Sequence, residues 1–142
     1  MSSNPNEIYK DLEREKIDKL TAVDLLIYLI ANNDNIEIRE ESIKILQKIG
    51  IKNDKVFSVF EDVLVSDPNP EIRELGAQCL KELFQEKALL PLKWALDHEK
   101  SWQLLLYIVS SIHDLNNHKA KSRSTIKPLS TLYSTSFNVS SI

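Results

Sequence analysis

The segment Asn33-Asp-Asn-Ile-Glu-Ile-Arg39 returns 34 residues further on (33 to 67) as Asp67-Pro-Asn-Pro-Glu-Ile-Arg73. The likeness extends to both flanks. Val23, Leu26, Leu29 and Ile30 align with Phe57, Phe60, Val63 and Leu64, and Ser42, Ile43, Leu46 and Ile49 align with Gly76, Ala77, Leu80 and Leu83. A further offset of 32 sets Phe57, Phe60, Leu64, Ile72, Ala77, Leu80 and Leu83 against Leu89, Leu92, Leu96, Leu104, Val109, Ile112 and Leu115. Self-similarity at a period of about 20–50 residues marks a stack of supersecondary units, each with an apolar face that only a neighbour can bury. About three units are the minimum for stability, and three are present.

Each unit reads as two helices. Apolar residues recur at steps of three and four, which lines them along one helix face. The breaks between these runs are rich in helix-start and helix-stop residues. Thr21 followed by Asp24 forms a capping pattern, and the cluster Asn32-Asn-Asp-Asn35 favours a turn. Gly50 stands where a helix C-cap glycine belongs, Asp54 can cap the next helix, and Ser66-Asp-Pro-Asn-Pro70 stops one helix and starts another. Pro91 falls near the start of the fifth repeat helix, in its first turn or as a kink. The expected architecture is all-α: repeats over 21–50, 54–84 and 87–115, within a repeat region 21–116. A charged capping helix lies ahead, within 1–20, where Ile8, Leu12, Ile17 and Leu20 are its apolar contacts. From 117 to 142 the sequence turns Ser/Thr-rich and basic, and is expected to be a disordered tail.

At Asp67-Pro-Asn-Pro-Glu-Ile-Arg73, followed by Gly76-Ala77, Cys79-Leu80 and Leu83, the chain resembles the HEAT-repeat family, including its shorter HEAT-like and armadillo-type relatives. The resemblance covers about Thr21 to Leu115, is closest in the second unit and is weakest in the third. It implies a short right-handed α-solenoid. It also implies a ladder between successive repeats, in which the loop acid meets the arginine of the second helix; the matching positions are Asp34, Asp67, Arg39 and Arg73. In the third unit the arginine position holds Leu105, so the ladder is expected to stop there.

Catalytic patterns are missing from the sequence. His98, His113 and His118 never fall at the i, i+4 spacing that puts two ligands on one helix face. The pair His98-Glu99 resembles the iron-holding pairs of HEAT-repeat hydroxylases, but it occurs once, and Ser66-Asp67 and Asn32-Asn33 stand at the matching positions. With two glycines there is no material for a phosphate-cradling loop. The single cysteine, Cys79, sits in an apolar pattern as a buried, unreactive thiol. The reading is therefore a non-enzyme with no metal and no cofactor. A net charge of −3 argues against nucleic acid. The N-terminus lacks a leader pattern and the longest apolar run, Leu25 to Ala31, is too short to span a bilayer, so no membrane role and a cytoplasmic location are expected.

What remains is a protein-binding scaffold or adaptor. In the family the second helices line the concave face, which here implies Glu41, Lys44 and Lys48 in the first unit, Leu75, Gln78 and Lys81 in the second, and Tyr107 and Ser110 in the third. Such a strip, mixed in charge and partly apolar, suits a protein surface better than a polyanion. The alternatives are an enzyme accessory or lyase-type HEAT-like protein of the phycobilisome kind, and a nucleic-acid-binding HEAT-like domain. Trp94 and Trp102 are candidates for partner anchoring or for packing. The last repeat helix, Trp102 to Ile112, is apolar nearly all round and lacks a polar cap, which leaves three outcomes: a tail folded back, a homo-oligomer or a longer array.

Overall fold

The computed structural model describes residues 4–126, with side chains to Lys121. Seven α-helices follow one another: α1 (Pro5–Glu13), α2 (Lys19–Asn32), α3 (Ile36–Ile49), α4 (Asp54–Ser66), α5 (Pro70–Leu83), α6 (Gln85–His98) and α7 (Trp102–Ile126). There is no strand among the described residues, and no helix there is long and apolar enough to cross a membrane.

Helix starts follow the side chains that satisfy free amides. Asn4, Asp18, Asn35, Asn53 and Asn69 cap α1 to α5, each accepting from a backbone N–H two or three residues on. Two starts differ from expectation. Asp18, not Thr21, opens α2, accepting from the Thr21 amide at 2.7 Å. Asn53, not Asp54, opens α4, because its amide oxygen reaches the Val56 N–H at 2.9 Å. The expected pairing of Thr21 with Asp24 does not form; Asp24 turns outward to Lys55 of α4, 2.6 Å away.

Three antiparallel hairpins result, α2/α3, α4/α5 and α6/α7, packed in sequence order in two layers. Helices α2, α4 and α6 form one layer, and α3, α5 and α7 form the other, which is the more closely packed. Helix α1 packs on α2 and α3, so it extends the second-helix layer by half a unit. Its Ile8 is buried in the common core, so it is more than a solvated cap. It also ends earlier than the sequence pattern suggested: Glu15, in the left-handed region at φ 58, turns the chain before α2.

One core runs through all the units, with Leu26, Ile43, Leu46, Phe60, Leu64, Ile72, Leu80, Leu92, Leu104 and Ile108 buried in it. Gly76 explains how tightly α4 and α5 meet: a Cβ there would lie 2.9 Å from Val63 Cγ1 and 3.1 Å from the Phe60 carbonyl oxygen. The third hairpin departs furthest from expectation. It starts at Gln85 rather than 87, since Phe84 alone joins α5 to α6. Pro91 is buried well inside α6, beyond its first turn. Helix α7 continues through Ile126, so residues 117–126 belong to it and the expected tail boundary at 116 moves. Residues 127–142, where that tail was also expected, lie outside the described residues.

Candidate functional site

At each junction between hairpins, an arginine from the second helix crosses to the loop acid of the next unit. Arg39 of α3 pairs with Asp67 through Nη2 and Oδ2, and its Nε donates to the Ile30 carbonyl at 3.3 Å. Arg73 of α5 repeats the pattern against Glu99. Nε and Nη2 donate to the two carboxylate oxygens, each at 2.8 Å, and Nη1 donates to the Asp67 carbonyl at 2.7 Å. The bidentate fork matches guanidinium to carboxylate. Hydrogen bonding to Glu99 raises the Arg73 pKa, and the same contact holds the Glu99 carboxyl below its usual value, helped by the Ser101 and Lys100 amides.

Asp34 is corrected out of this ladder. It is exposed, and Arg39 pairs with Asp67 instead. The residue aligned with Asp67 and Glu99 is Asn33, whose Oδ1 accepts from the Asn35 amide at 2.8 Å, just as Asp67 Oδ1 accepts from Asn69 at 2.9 Å. Preceded by α1 rather than by a hairpin with an arginine, the first loop has no cation to receive, so a neutral side chain serves there. Glu99 is the ladder residue that sequence reading missed. The offset of 32 from Asp67 carried the signal, but the neighbouring His98 drew attention to metal chemistry. His98 instead stacks on the Trp94 ring at 3.8 Å, and its Nδ1 lies 2.8 Å from the Trp94 carbonyl oxygen. No cluster of metal-ligand side chains occurs among the described residues.

The second-helix layer brings the expected strip together across α3, α5 and α7. Lys44, Lys48 and Ser110 are exposed, while Glu41, Leu75, Gln78, Lys81 and Tyr107 are half-buried. Many of these side chains are tied within the layer. Lys44 meets Glu40 at 2.8 Å, which raises the lysine pKa, and Lys48 lies over the Tyr9 ring of α1 at 4.5 Å. Gln47 bonds to Glu82 across α3 and α5. Lys81 joins α5 to α7, 2.8 Å from Asp114 and 5.8 Å from the Tyr107 ring centroid, and lowers the Asp114 pKa. Lys81 is therefore first a tie between neighbouring helices.

Charge is mixed along the strip. Glu37, Glu40, Glu41, Glu71 and Glu74 lie in the N-terminal halves of α3 and α5, and Lys44, Lys48 and Lys81 lie in the C-terminal halves, beside Glu82 and, in α7, Asp114. Acids near the N-termini and lysines near the C-termini of α3 and α5 suit the helix macrodipoles. No family model, curated protein or solved structure matches the chain.

Proposed function

We propose that this chain is a short right-handed α-solenoid of HEAT-like hairpins, a cytoplasmic scaffold or adaptor that binds a protein along the strip of α3, α5 and α7. The observation that carries the reading is the strip itself. Three successive second helices set Leu75 and Tyr107 among side chains of both charge signs, a mixture that protein surfaces match and a polyanion does not. The closer packing of this layer supports its being the concave side. The Arg39–Asp67 and Arg73–Glu99 contacts support the HEAT-like reading, because they tie neighbouring hairpins together at matching positions of the repeat.

The test exchanges charge on the strip without touching its ties between helices. The paired substitution Glu41→Lys with Lys44→Glu keeps the net charge and disrupts only the exposed Lys44–Glu40 pair, a contact of small stabilising effect. Affinity capture with the wild-type chain, this variant and Tyr28→Ala on the outer layer, followed by mass spectrometry, reads the result. A protein retained by wild type and Tyr28→Ala but lost with the exchange, at equal helicity, supports the proposal. Equal retention by all three overturns the strip as the binding face.

A further inference from the structure

The strip of α3, α5 and α7 holds more acid than its own cations can neutralise. Each of its three lysines is already engaged: Lys44 with Glu40, Lys81 with Asp114, and Lys48 over the Tyr9 ring. Glu37, Glu41, Glu71, Glu74 and Glu82 form no ion pair among the described residues. Seven carboxylates against three ammonium groups leave the strip at −4, while the whole chain carries −3. The negative charge of the chain is therefore concentrated here. Helical spacing sets the surplus on one side, since Glu37 and Lys44, Glu41 and Lys48, and Glu71 and Gln78 are each seven residues apart, nearly two turns. The macrodipoles account for Glu37 and Glu71, in the first turns of α3 and α5. They do not account for Glu41 and Glu74 in mid-helix, and they oppose Glu82, one residue from the end of α5.

Between the acids lies a surface that a side chain can rest on. Leu75 and Tyr107 are half-buried at aligned positions of α5 and α7, and Leu106, beside Tyr107, is 54% exposed. Burial raises the Tyr107 pKa, Ser111 and Lys81 oppose the rise, and Glu82 and Glu74 add to it. The phenol, the serine and two of the unpaired acids thus share the groove between α5 and α7. The Ser111 hydroxyl there is fully buried and completes no hydrogen bond among the described residues. A buried hydroxyl without a partner calls for one, and the carboxylates around it favour a positively charged donor. A nucleic acid or an anionic bilayer meets the same field with the wrong sign.

We propose that the partner bound along the strip is a basic protein segment, with lysine or arginine side chains that meet Glu37, Glu71 and Glu74 and an apolar residue that rests on Leu75 and Tyr107. This rests on the strip being the binding face and adds the chemistry of what binds there. Opposite charge across such a surface sets partner choice and speeds encounter.

The probe is a phage-displayed library of random peptides about 12 residues long, roughly twice what an extended chain needs to cross the ~20 Å from α3 to α7. The full chain selects peptides, and fluorescence anisotropy then compares them on three proteins of equal far-UV circular dichroism. These are wild type, the strip variant Glu37→Gln, Glu71→Gln, Glu74→Gln, and a control, Asp62→Asn, Glu86→Gln, Asp97→Asn, which removes as much charge from exposed positions of α4 and α6. The expected peptides are enriched in lysine and arginine over the unselected library and bind wild type and control alike. They bind the strip variant about tenfold more weakly, as the loss of three exposed charge pairs implies. Peptides without that enrichment, equal affinity for all three proteins, or no selected peptide at all overturns the proposal. The Glu41→Lys, Lys44→Glu exchange tells the two failures apart. Peptides that lack basic residues yet lose affinity with the exchange leave the strip as the binding face with a different partner chemistry, whereas peptides indifferent to it count against the strip itself.

Discussion

Arg73 and Glu99, on successive hairpins and 26 residues apart, meet through two parallel hydrogen bonds of 2.8 Å in which only 4% of the glutamate side chain stays accessible. An ion pair in such a place adds little over well-packed apolar residues, but removing one member strands the other. Arg73→Met is therefore expected to destabilise the chain by about 2–4 kcal/mol, while Arg73→Met with Glu99→Leu recovers only part of the loss, because the leucine also leaves the Lys100 and Ser101 amides without their acceptor. Urea midpoints at constant slope measure both.

The same contact makes stability depend on acid. Glu99 is held below the ordinary glutamate value of 4.5, first by its hydrogen bond to Arg73, with burial opposing. In the unfolded chain the carboxylate takes up its proton near that ordinary value, so the stabilisation is complete above it. As pH falls from there through the depressed folded value, the stabilisation is lost. Glu99→Gln is expected to be less stable than wild type at pH 7, with the gap shrinking as the solution is acidified. A gap independent of pH would separate Glu99 from the acid response.

The two glycines should respond to alanine for different reasons. Gly76→Ala gains helix propensity of about 1 kcal/mol but drives a methyl group to 3.0 Å from the Leu64 nitrogen and 3.1 Å from the Phe60 carbonyl oxygen. Backbone cannot yield as a side-chain tip can, so the clash wins and a net loss of about 1–3 kcal/mol is expected. At Gly50 there is room, and the cost of about 1 kcal/mol comes from its φ of 76°. Gly50→Asn should lose less than Gly50→Ala, because asparagine tolerates that region; thermal midpoints of the three variants decide it.

Cys79 is fully buried in α5, and burial pushes its thiol up to about 12. At neutral pH it should resist alkylation in the folded chain and react only through opening. Its labelling rate should rise in step with the unfolded fraction along a urea titration. Rapid labelling in native buffer would contradict its burial.

The parts of this fold legible in the sequence were those that repetition makes redundant. The 34-residue echo located the α3 and α5 arginines, and helical spacing placed Leu26, Phe60 and Leu80 in the core, because one apolar face must be written once per unit. What the sequence hid was decided by neighbours. Asp34 and Asn33 are both plausible loop residues, and the neutral one suffices because α1, which stands where a second helix would, carries no arginine. Glu99 belongs to the ladder because Arg73 reaches it, not because of the loop's own composition. Lys81 looked like a free contact on the strip until α7 brought Asp114 beside it. The length of α7 escaped because residues beyond Leu115 lack the apolar spacing that marks packed helix, yet a solvated helix needs none.

Asp67 takes part in two junctions at once: its carboxylate holds Arg39 of the unit before, and its backbone carbonyl accepts from Arg73, which grips the unit after. Stacks whose interfaces are independent fray from their ends, each boundary melting on its own schedule. Here the central loop belongs to both boundaries, so a hairpin that swings out on one side loosens the grip on the other. The expected consequence is a short array that gives way in one step, as an indivisible spring rather than as separate leaves.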